Sequence, residues 1–199
     1  MEPREDYDAW AAMLAESFEE DAGIRAQMQG LRGTDALFLR QCVGMLRAFD
    51  RVGGVTVWGG REGVALGCFS ADAAQLGQYL QEELASMALD IPPETLAAVQ
   101  RNSAEVEKIA RPDWYVSALG TESVYILQAI AVRRDRRGTG VFRRLLTPVL
   151  EKARQRGVPV VLQTFERENR EKYEHMGFRL VEEIPSDAMP LTCYNMACS

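Results

Sequence analysis

Apolar residues recur at intervals of three and four positions in two stretches near the N-terminus, which is the spacing of one face of a helix. Glycines at positions 30 and 33 interrupt the pattern between the two stretches, and Thr34 or Asp35 is placed to cap the second. The pattern therefore predicts two amphipathic helices. The apolar positions are Trp10, Met13, Leu14 and Phe18 in the first, and Phe38, Cys42, Met45 and Phe49 in the second.

The pattern then changes to two short apolar runs, at 55–58 and 64–69, separated by a glycine-rich stretch. Runs of this length around glycines predict a β-hairpin. From 70 to about 112 the helical spacing returns, in one stripe that includes Leu76 and a second that begins after Pro92 and Pro93. We interpret this segment as a helical insertion before the central strand.

The C-terminal half alternates between strand and helix patterns. Apolar runs at 124–132 and 158–165 predict strands, and a helical pattern from about 140 to 156 lies between them. A strand, a helix and a strand in this order predict a parallel βαβ unit. The rest of a mixed sheet with helices on both faces is predicted from a short strand at 114–119, a short helix ending at Gly177, and strands at 178–184 and about 191–197.

Length and composition fit a single domain over 1–199, because the chain has 199 residues, 47% hydrophobic content and no low-complexity tract. The formal charge of −6 and the pI near 5.0 disfavour a general nucleic-acid-binding protein, which usually carries a basic excess. No apolar run approaches the roughly 20 residues that cross a bilayer. We therefore expect no nucleic-acid partner and no membrane partner.

The cysteines and the histidine content bear on location and metal chemistry. Cys42, Cys68, Cys193 and Cys198 are widely spaced in a sequence without a signal-peptide pattern, which predicts reduced thiols in a cytoplasmic protein. His175 is the only histidine, and no closely spaced cysteines accompany it, so a zinc site lacks ligands. We expect no metal cofactor.

The most informative segment runs from 128 to 146, where an apolar run ends in an arginine-rich turn and a helical pattern begins at once. Six arginines lie between Arg133 and Arg144, interleaved with Gly138 and Gly140. Glycine lets main-chain N–H groups approach an anion, and a helix N-terminus adds a positive end, so a phosphate fits here. A plain structural turn with solvated arginines is the alternative. A dinucleotide-binding motif is a poorer match, since it needs three glycines in the first βα turn.

Residues 132–146 resemble the acyl-CoA-binding core of the GCN5-related N-acetyltransferase (GNAT) superfamily. The family pattern has Arg or Gln, two residues, Gly, one residue, and then Gly or Ala, and the run from Arg137 to Phe142 departs from it only at its end. Phe142 replaces a small residue, which we expect to alter the last main-chain contact with a pyrophosphate. The resemblance extends to Leu162-Gln163-Thr164, Asn169 and Tyr173-Glu174-His175-Met176-Gly177-Phe178.

This resemblance implies an α/β fold with a mixed, mostly antiparallel central sheet, a splayed parallel pair of strands and helices on both faces. It also implies acetyl-CoA as co-substrate, with the pantetheine arm along the strand that ends at Val132. A free main-chain N–H near 129–132 would then stabilise the oxyanion that forms when an amine attacks the thioester. The cofactor-binding residues implied are Ile130, Ala131, Val132, Arg137, Gly138, Thr139, Gly140, Val141, Phe142 and Asn169.

Two side chains are candidate catalytic groups. Tyr173 matches the family's general acid and lies four residues after Asn169, on the same helical face. Its phenol, with an ordinary pKa of about 10, can protonate the departing CoA thiolate, whereas a core-packing role is the alternative. Gln128 is predicted to share a strand face with Ile130 and Val132, where it either orients substrate or water or is an amide bonded at the sheet surface.

The predicted activity is transfer of an acetyl group from acetyl-CoA to a primary amine by direct attack in a ternary complex, with a small-molecule amine or a peptide amine as acceptor. An alkylammonium must first lose a proton, at a cost of roughly 4.6 kcal/mol, and Glu122, Glu82 and Glu83 are unassigned candidate bases. The alternative is a non-catalytic acyl-CoA-binding sensor or scaffold, which Phe142 favours and Tyr173 disfavours. Monomer and homodimer both stay open.

Overall fold

The computed structural model describes residues 7–89 and 91–199, so residues 1–6 and 90 of the predicted 1–199 domain lie outside the described residues. The strands are β1 (Val55–Trp58), β2 (Gly63–Phe69), β3 (Tyr125–Val132), β4 (Val160–Thr164), β5 (Arg179–Pro185) and β6 (Thr192–Cys198). The helices are α1 (Tyr7–Phe18), α2 (Ala22–Gln27), α3 (Asp35–Arg51), α4 (Ala73–Ala88), α5 (Pro93–Glu107), α6 (Trp114–Leu119), α7 (Val141–Gln155) and α8 (Arg167–Glu174).

The strands form one six-stranded sheet in the order β1-β2-β3-β4-β6-β5. β3 and β4 run parallel, and every other neighbouring pair is antiparallel. The predicted hairpin is present as β1 and β2, and the predicted βαβ unit as β3, α7 and β4. The structure therefore confirms the predicted fold class, a mixed and mostly antiparallel sheet with one parallel pair.

Helices cover both faces of the sheet. Successive side chains of a strand point to opposite faces, so each strand has apolar residues for both layers of helices. Leu162 packs with Leu146 and Val149 of α7, whereas its neighbour Val161 packs with Trp114 of α6. The apolar stripe of α7 recurs at intervals of three and four residues and lies against the sheet, with Leu146 fully buried. On the α6 face, α1 and α3 pack against β2 and the end of β3. The N-terminus of α7 is thereby fixed beside the carboxyl end of β3.

The insertion between β2 and β3 is helical, as predicted, and consists mainly of α4 and α5. α4 packs against α3, and α5 packs against α2. The side-chain amide of Asn102 in α5 donates to the carbonyl oxygens of Gln27 and Gln29, both at 3.0 Å. The insertion therefore lies against the N-terminal helices.

The prediction of a strand at 114–119 is wrong, since these residues form α6. Aromatic and β-branched residues favoured a strand, but Trp114 and Tyr115 recur with Ala118 and Leu119 at helical spacing and pack with them in one cluster. Gly120 then ends the helix in the left-handed region, at φ 67°. This C-terminal glycine was the signal for a helix.

α2 was not predicted, and its N-terminus is capped by the adjacent Asp21 and by Glu166, which is distant in sequence. Its first N–H, of Ala22, donates to Oε1 of Glu166 at 2.9 Å, and the N–H of Ile24 donates to Oδ1 of Asp21 at 3.0 Å. Thr34 does stand at the N-cap of α3, but its side chain forms no capping hydrogen bond. Short helices of this kind depend on tertiary contacts that sequence periodicity does not show.

All four cysteines are free thiols, as predicted, and Cys42, Cys68 and Cys193 are buried. Burial raises the pKa of Cys42 and Cys193 to about 12 and that of Cys68 to about 11. Such thiols stay protonated near neutral pH and pack as small apolar side chains. Within 7–89 and 91–199, no helix has the length and apolar content to traverse a bilayer.

Candidate functional site

The two parallel strands separate soon after they begin. β3 pairs with β4 only at Tyr125 and Ile126, opposite Val160 and Val161. From there to Val132, β3 keeps β2 as its partner on one edge, while its other edge is no longer paired with β4. The strands thus enclose a wedge that opens towards their carboxyl ends, which we call the interstrand gap.

Two main-chain N–H groups of β3 point into the interstrand gap. The N–H of Arg133 donates to the carbonyl oxygen of Glu62 on the β2 side, at 3.0 Å. Because main-chain groups alternate between the two edges of a strand, those of Ile130 and Val132 face the opposite edge. These are N–H groups of the kind that the sequence predicts for an oxyanion site.

A β-bulge at Gln128 interrupts the alternation of β3. Leu127 and Ile130 both pack on the α7 face although they are three residues apart, so one residue between them is extra. The prediction that Gln128 shares a face with Ile130 and Val132 assumed a regular strand, so at this bulge it stays a prediction. Gln128 is exposed at the bulge. The pairs in register on either side of it are Leu66 with Ala129 and Gly67 with Leu127.

The turn between β3 and α7, together with the first three residues of α7, holds unpaired main-chain N–H groups. We call this segment the arginine turn (residues 133–143). In its second half, Thr139 donates only weakly, to Arg136 at 3.3 Å, and the first helical bond is that from Arg144 to Gly140, at 3.1 Å. The N–H groups without a partner among the described residues are those of Gly138, Gly140, Val141, Phe142 and Arg143. Together they form a potential anion site at a helix N-terminus.

Two positions of the arginine turn need glycine for conformational reasons. Gly138 has φ 78° and Gly140, the N-cap of α7, has φ 86°, a region that L side chains rarely adopt. Within residues 7–89 and 91–199, no atom lies within 4 Å of a Cβ added at either position. Crowding within the chain therefore does not explain these glycines, whereas the backbone turn and the close approach of a ligand both do.

The positive charge of the arginine turn is only partly neutralised. Arg133 pairs with Asp135 at 2.6 Å, and Arg136 pairs with Glu62 at 3.1 Å. A surplus of positive charge therefore surrounds the unpaired N–H groups, as an anion site requires. The arginines of this region without a carboxylate partner among the described residues are Arg134, Arg137, Arg143 and Arg144.

Arg137 connects the arginine turn to the interstrand gap. Its Nε donates to the carbonyl oxygen of Val132 at 3.3 Å, and its Nη2 donates to Oγ of Ser17 in α1 at 3.4 Å. Both bonds are long and exposed, so they orient the side chain more than they stabilise the fold. Arg137 therefore stands where the gap and the turn meet.

Tyr173 lies in α8 with its ring between two phenylalanine rings. The centroid of its ring is 5.5 Å from that of Phe142 and 5.4 Å from that of Phe178. This burial raises the pKa of Tyr173 above its ordinary value. Its hydroxyl has no hydrogen-bond partner among the described residues. Every fully buried polar side-chain atom of these residues does have a partner, so the hydroxyl must be accessible to solvent at least in part. The phenol is held as an acid with a free donor.

The predicted residue Asn169 and the single histidine, His175, make local contacts on or next to α8. Asn169, one turn before Tyr173, accepts from Nζ of Lys172 at 3.1 Å through its Oδ1, which leaves its amide N–H groups unused. Nδ1 of His175 lies 2.7 Å from the carbonyl oxygen of Glu171 in the preceding turn. His175 thus occupies a helix C-terminus, where an imidazole is favourable without any catalytic role.

The carboxylates proposed from the sequence as bases do not line the interstrand gap. Glu82 and Glu83 pair with arginines of α3, and Glu122 precedes β3 at the end where it is still paired with β4. Sequence analysis missed Asp21 and Glu166, which stand together at the carboxyl end of β4 and cap α2. Burial, followed by the nearby charge of Glu166, raises the pKa of Asp21.

Replacing Phe142 with alanine is expected to lower the pKa of Tyr173 towards its ordinary value of about 10, because removal of the neighbouring ring lets more water surround the phenol. The affinity for CoA should change by less than about threefold, since alanine keeps the main-chain N–H of the turn. Tyrosine labelled with ¹³C at Cζ reports the titration by NMR, and Tyr173→Phe assigns the signal. Calorimetry gives the affinity.

Leu150→Ala is the matched control, because Leu150 is partly buried in the same cluster and on the same helix but makes no ring contact with Tyr173. The Tyr173 titration should be the same in this variant as in the parent chain. An unchanged pKa in Phe142→Ala, or an equal fall in Leu150→Ala, would contradict the assignment of this ring pair.

Residues 95–178 match the Acetyltransferase (GNAT) family. The matched segment contains both strands of the interstrand gap, the arginine turn and Tyr173. None of the curated proteins compared with the sequence matches it. The segment that matches the family therefore includes the main elements of the candidate site.

Solved acetyltransferase structures share the fold over almost the whole chain. A structure of histone acetyltransferase HPA2 and related acetyltransferase from Corynebacterium glutamicum has a TM-score of 0.60 at 19% identity, covering 98% of this chain and 91% of that chain. An N-acetyltransferase from Staphylococcus aureus has a TM-score of 0.58 at 16% identity, covering 97% and 95%. A mosquito arylalkylamine N-acetyltransferase like 5b has a TM-score of 0.58 at 11% identity, covering 96% and 94%. At these identities the likeness shows a common fold.

Proposed function

We propose that this chain, which belongs to the GCN5-related N-acetyltransferase superfamily, transfers the acetyl group of acetyl-CoA to a primary amine by direct attack in a ternary complex. The observation that carries the proposal is the set of five N–H groups in the arginine turn that have no partner in the described part of the chain and lie next to the interstrand gap. The acceptor is a small-molecule amine or a peptide amine. A cytoplasmic location and a monomeric or homodimeric state remain predictions.

The arginine turn binds the diphosphate of acetyl-CoA in this proposal. The N–H groups of Gly138, Gly140 and Val141 donate to its oxygens, and Phe142 and Arg143 extend the set. Hydrogen bonds to an ionised acceptor are about twice as strong as neutral ones. The arginines without carboxylate partners add long-range attraction for an anion. Arg137 and Thr139 border the same turn.

The interstrand gap holds the pantetheine arm and the thioester. The free main-chain edge of β3 pairs with the amides of the arm as an added strand would, with Ala131 packed beneath it on the α1 face. The N–H groups of Ile130 and Val132 then stabilise the oxyanion that forms when the amine attacks the thioester carbon. Main-chain donors suit this task because they are already oriented before the reaction.

Tyr173 acts as the general acid that protonates the sulfur as the carbon–sulfur bond breaks. The proton that the attacking amine loses passes to water, and water returns a proton to Tyr173. A simple thiol has a pKa of about 8.5 in water, below that of a phenol. The burial that raises the pKa of Tyr173 also disfavours a thiolate beside it, which reduces the cost of the transfer. Asn169 and Gln128, from the two sides of the gap, orient the bound molecules in this proposal.

A non-catalytic acyl-CoA-binding module is the second candidate function, and Phe142 in place of a small residue is the observation that favours it. The accessible hydroxyl of Tyr173 favours the enzyme, because a binding module has no use for a free donor there. The two functions differ in turnover and agree in CoA binding.

Thiol release from acetyl-CoA, measured with a panel of polyamines, amino acids, aminoglycosides and peptides, tests the proposal. The enzyme should release thiol with at least one amine, and mass spectrometry should find that amine larger by one acetyl group. CoA binding without release across the panel would favour the binding module. Absence of CoA binding would refute both functions.

A further inference from the structure

A row of polar side chains crosses three strands beside the interstrand gap. Nε2 of Gln163 in β4 donates to Oδ1 of Asn195 in β6 at 2.8 Å, and Nδ2 of Asn195 donates to Oε2 of Glu182 in β5 at 2.8 Å. Asn195 is fully buried, although asparagine is usually exposed. The neighbouring thiol of Cys193 lies 3.6 Å from Nε2 of Gln163. A buried polar residue with this set of partners calls for an explanation.

The carboxylate of Glu182 fixes the direction of the whole row. An ionised carboxylate only accepts hydrogen bonds, so Asn195 must turn its amide nitrogen towards Glu182 and its oxygen towards Gln163. That oxygen in turn requires the amide nitrogen of Gln163, whose hydrogens are directed at Oδ1 of Asn195 and Sγ of Cys193. Only Oε1 of Gln163 is then left, as an acceptor at the end of the row.

Oε1 of Gln163 is open to a ligand. It has no hydrogen-bond partner among the described residues. Every fully buried side-chain oxygen or nitrogen of these residues does have a partner, so this atom is not fully buried. Gln163 comes two residues after Val161, the last residue of β4 that pairs with β3. It therefore stands where the strands have separated, on the face opposite Leu162 and α7.

The negative charge of Glu182 and the aligned amide dipoles make the electrostatic potential at Oε1 of Gln163 more negative. Glu182 forms no ion pair with any described residue, so its charge is uncompensated. The two amide dipoles are aligned head to tail and place their oxygen ends towards the gap, which makes Oε1 of Gln163 a stronger acceptor. Positive charge lies on the opposite side of the site, in the arginine turn.

We propose that Oε1 of Gln163 binds the amino group of the acceptor and that the acceptor is a cationic primary amine. Asn195 and Glu182 are positioning residues that keep Gln163 in its accepting orientation. This inference rests on the proposed acetyl transfer and names the substrate class for it. An ammonium group supplies both donors and a positive charge for a lone acceptor with negative charge behind it, whereas an alcohol has a donor but no charge and a carboxylate has no donor.

Glu182→Gln is the first test, because a glutamine both donates and accepts. It can donate to Asn195, so the two amides can reverse and present the N–H of Gln163 to the gap with every buried partner kept. It can also still accept from Asn195, so both orientations of the row are populated. With the amine that gives the highest kcat/KM in the panel, KM for the amine should rise about threefold to fivefold, from the lost charge and the partial loss of the accepting orientation. KM for acetyl-CoA should stay within about twofold.

Gln163→Met removes the acceptor at nearly constant size and should raise KM for the amine at least about tenfold, as expected for loss of a hydrogen bond to a charged group. Glu183→Gln is the matched control, because Glu183 is the next carboxylate of β5 and pairs instead with Arg170 at 3.4 Å. It removes the same charge and should leave KM for the amine within about twofold. Thermal unfolding confirms that each variant is folded.

The outcomes separate this inference from the function on which it rests. Absence of turnover with every amine in the parent chain would overturn the acetyl transfer itself. Turnover in the parent chain with an unchanged KM for the amine in a folded Gln163→Met variant would overturn the role of the polar row alone. An equal rise in Glu183→Gln would reduce the effect to general electrostatics and overturn it as well.

Discussion

Replacing Gly140 with valine is expected to weaken CoA binding by at least about 100-fold, through the loss of charge-assisted hydrogen bonds at the start of α7. At φ 86° a valine is strained, and relief of that strain turns the N–H groups of Gly140 and Val141 away from the diphosphate. The added side chain also occupies the space through which a phosphate approaches the main chain. Calorimetry with CoA measures the loss directly.

Gly157→Val is the matched control for this prediction. Gly157 follows the C-terminus of the same helix, with φ 67° and no atom within 4 Å of an added Cβ, so valine brings comparable backbone strain there. Its affinity for CoA should stay within about threefold of that of the parent chain. Equal losses of affinity in the two variants would show that strain in α7, and not the arginine turn, accounts for the effect.

Replacing Tyr173 with phenylalanine is expected to lower kcat by at least about 100-fold, the range found when a general acid is removed. The affinity for CoA should stay within about threefold, because the ring contacts with Phe142 and Phe178 are kept. Steady-state thiol release with the best amine gives kcat, and calorimetry gives the affinity. The large effect on kcat with a small effect on binding identifies a group that acts in the transition state.

Tyr79→Phe controls for the loss of a phenol elsewhere. Tyr79 lies in α4, where its hydroxyl accepts from Nε2 of Gln75 at 2.7 Å, outside the strands that form the interstrand gap. Its kcat should match that of the parent chain. A Tyr173→Phe variant that keeps full kcat would remove Tyr173 from the mechanism and would leave the acetyl transfer to be explained by main-chain groups alone.

Much of the fold could be predicted from the sequence because its elements are long or strongly patterned. The stripe of α7, which includes Val141, Leu145 and Val149, has the helical period over four turns, and β3 is a continuous apolar run. The order of β3, α7 and β4 then predicts that the two strands pair in parallel, because parallel neighbours are joined by a crossover connection that is usually a helix.

The elements that sequence analysis missed are those held by distant contacts. α2 has six residues, and part of its N-terminal capping comes from Glu166, far along the chain. The strand predicted at 114–119 is a helix, since packing against Val161 and Val124 outweighs the strand propensity of its residues. The bulge at Gln128 has no glycine or proline to announce it and appears only in the register with β2.

The candidate site likewise has one part that the sequence predicts and one part that it does not. The arginine turn could be predicted because glycine and arginine at fixed positions report backbone geometry and charge directly. The row from Gln163 to Glu182 could not, because its members are far apart in sequence and meet only through the pairing of β4, β5 and β6. Ordinary polar residues in strands carry no local signal of such a row.

The central claim is that main-chain N–H groups at the start of α7 bind a diphosphate, and an NMR titration of the ¹⁵N-labelled chain tests it most directly. On addition of CoA, the largest downfield shifts should occur at the amides of Gly138, Gly140, Val141, Phe142 and Arg143. Pantetheine, which lacks the phosphates, should leave these signals in place. The claim would be contradicted if CoA bound without moving them, or if pantetheine moved them equally.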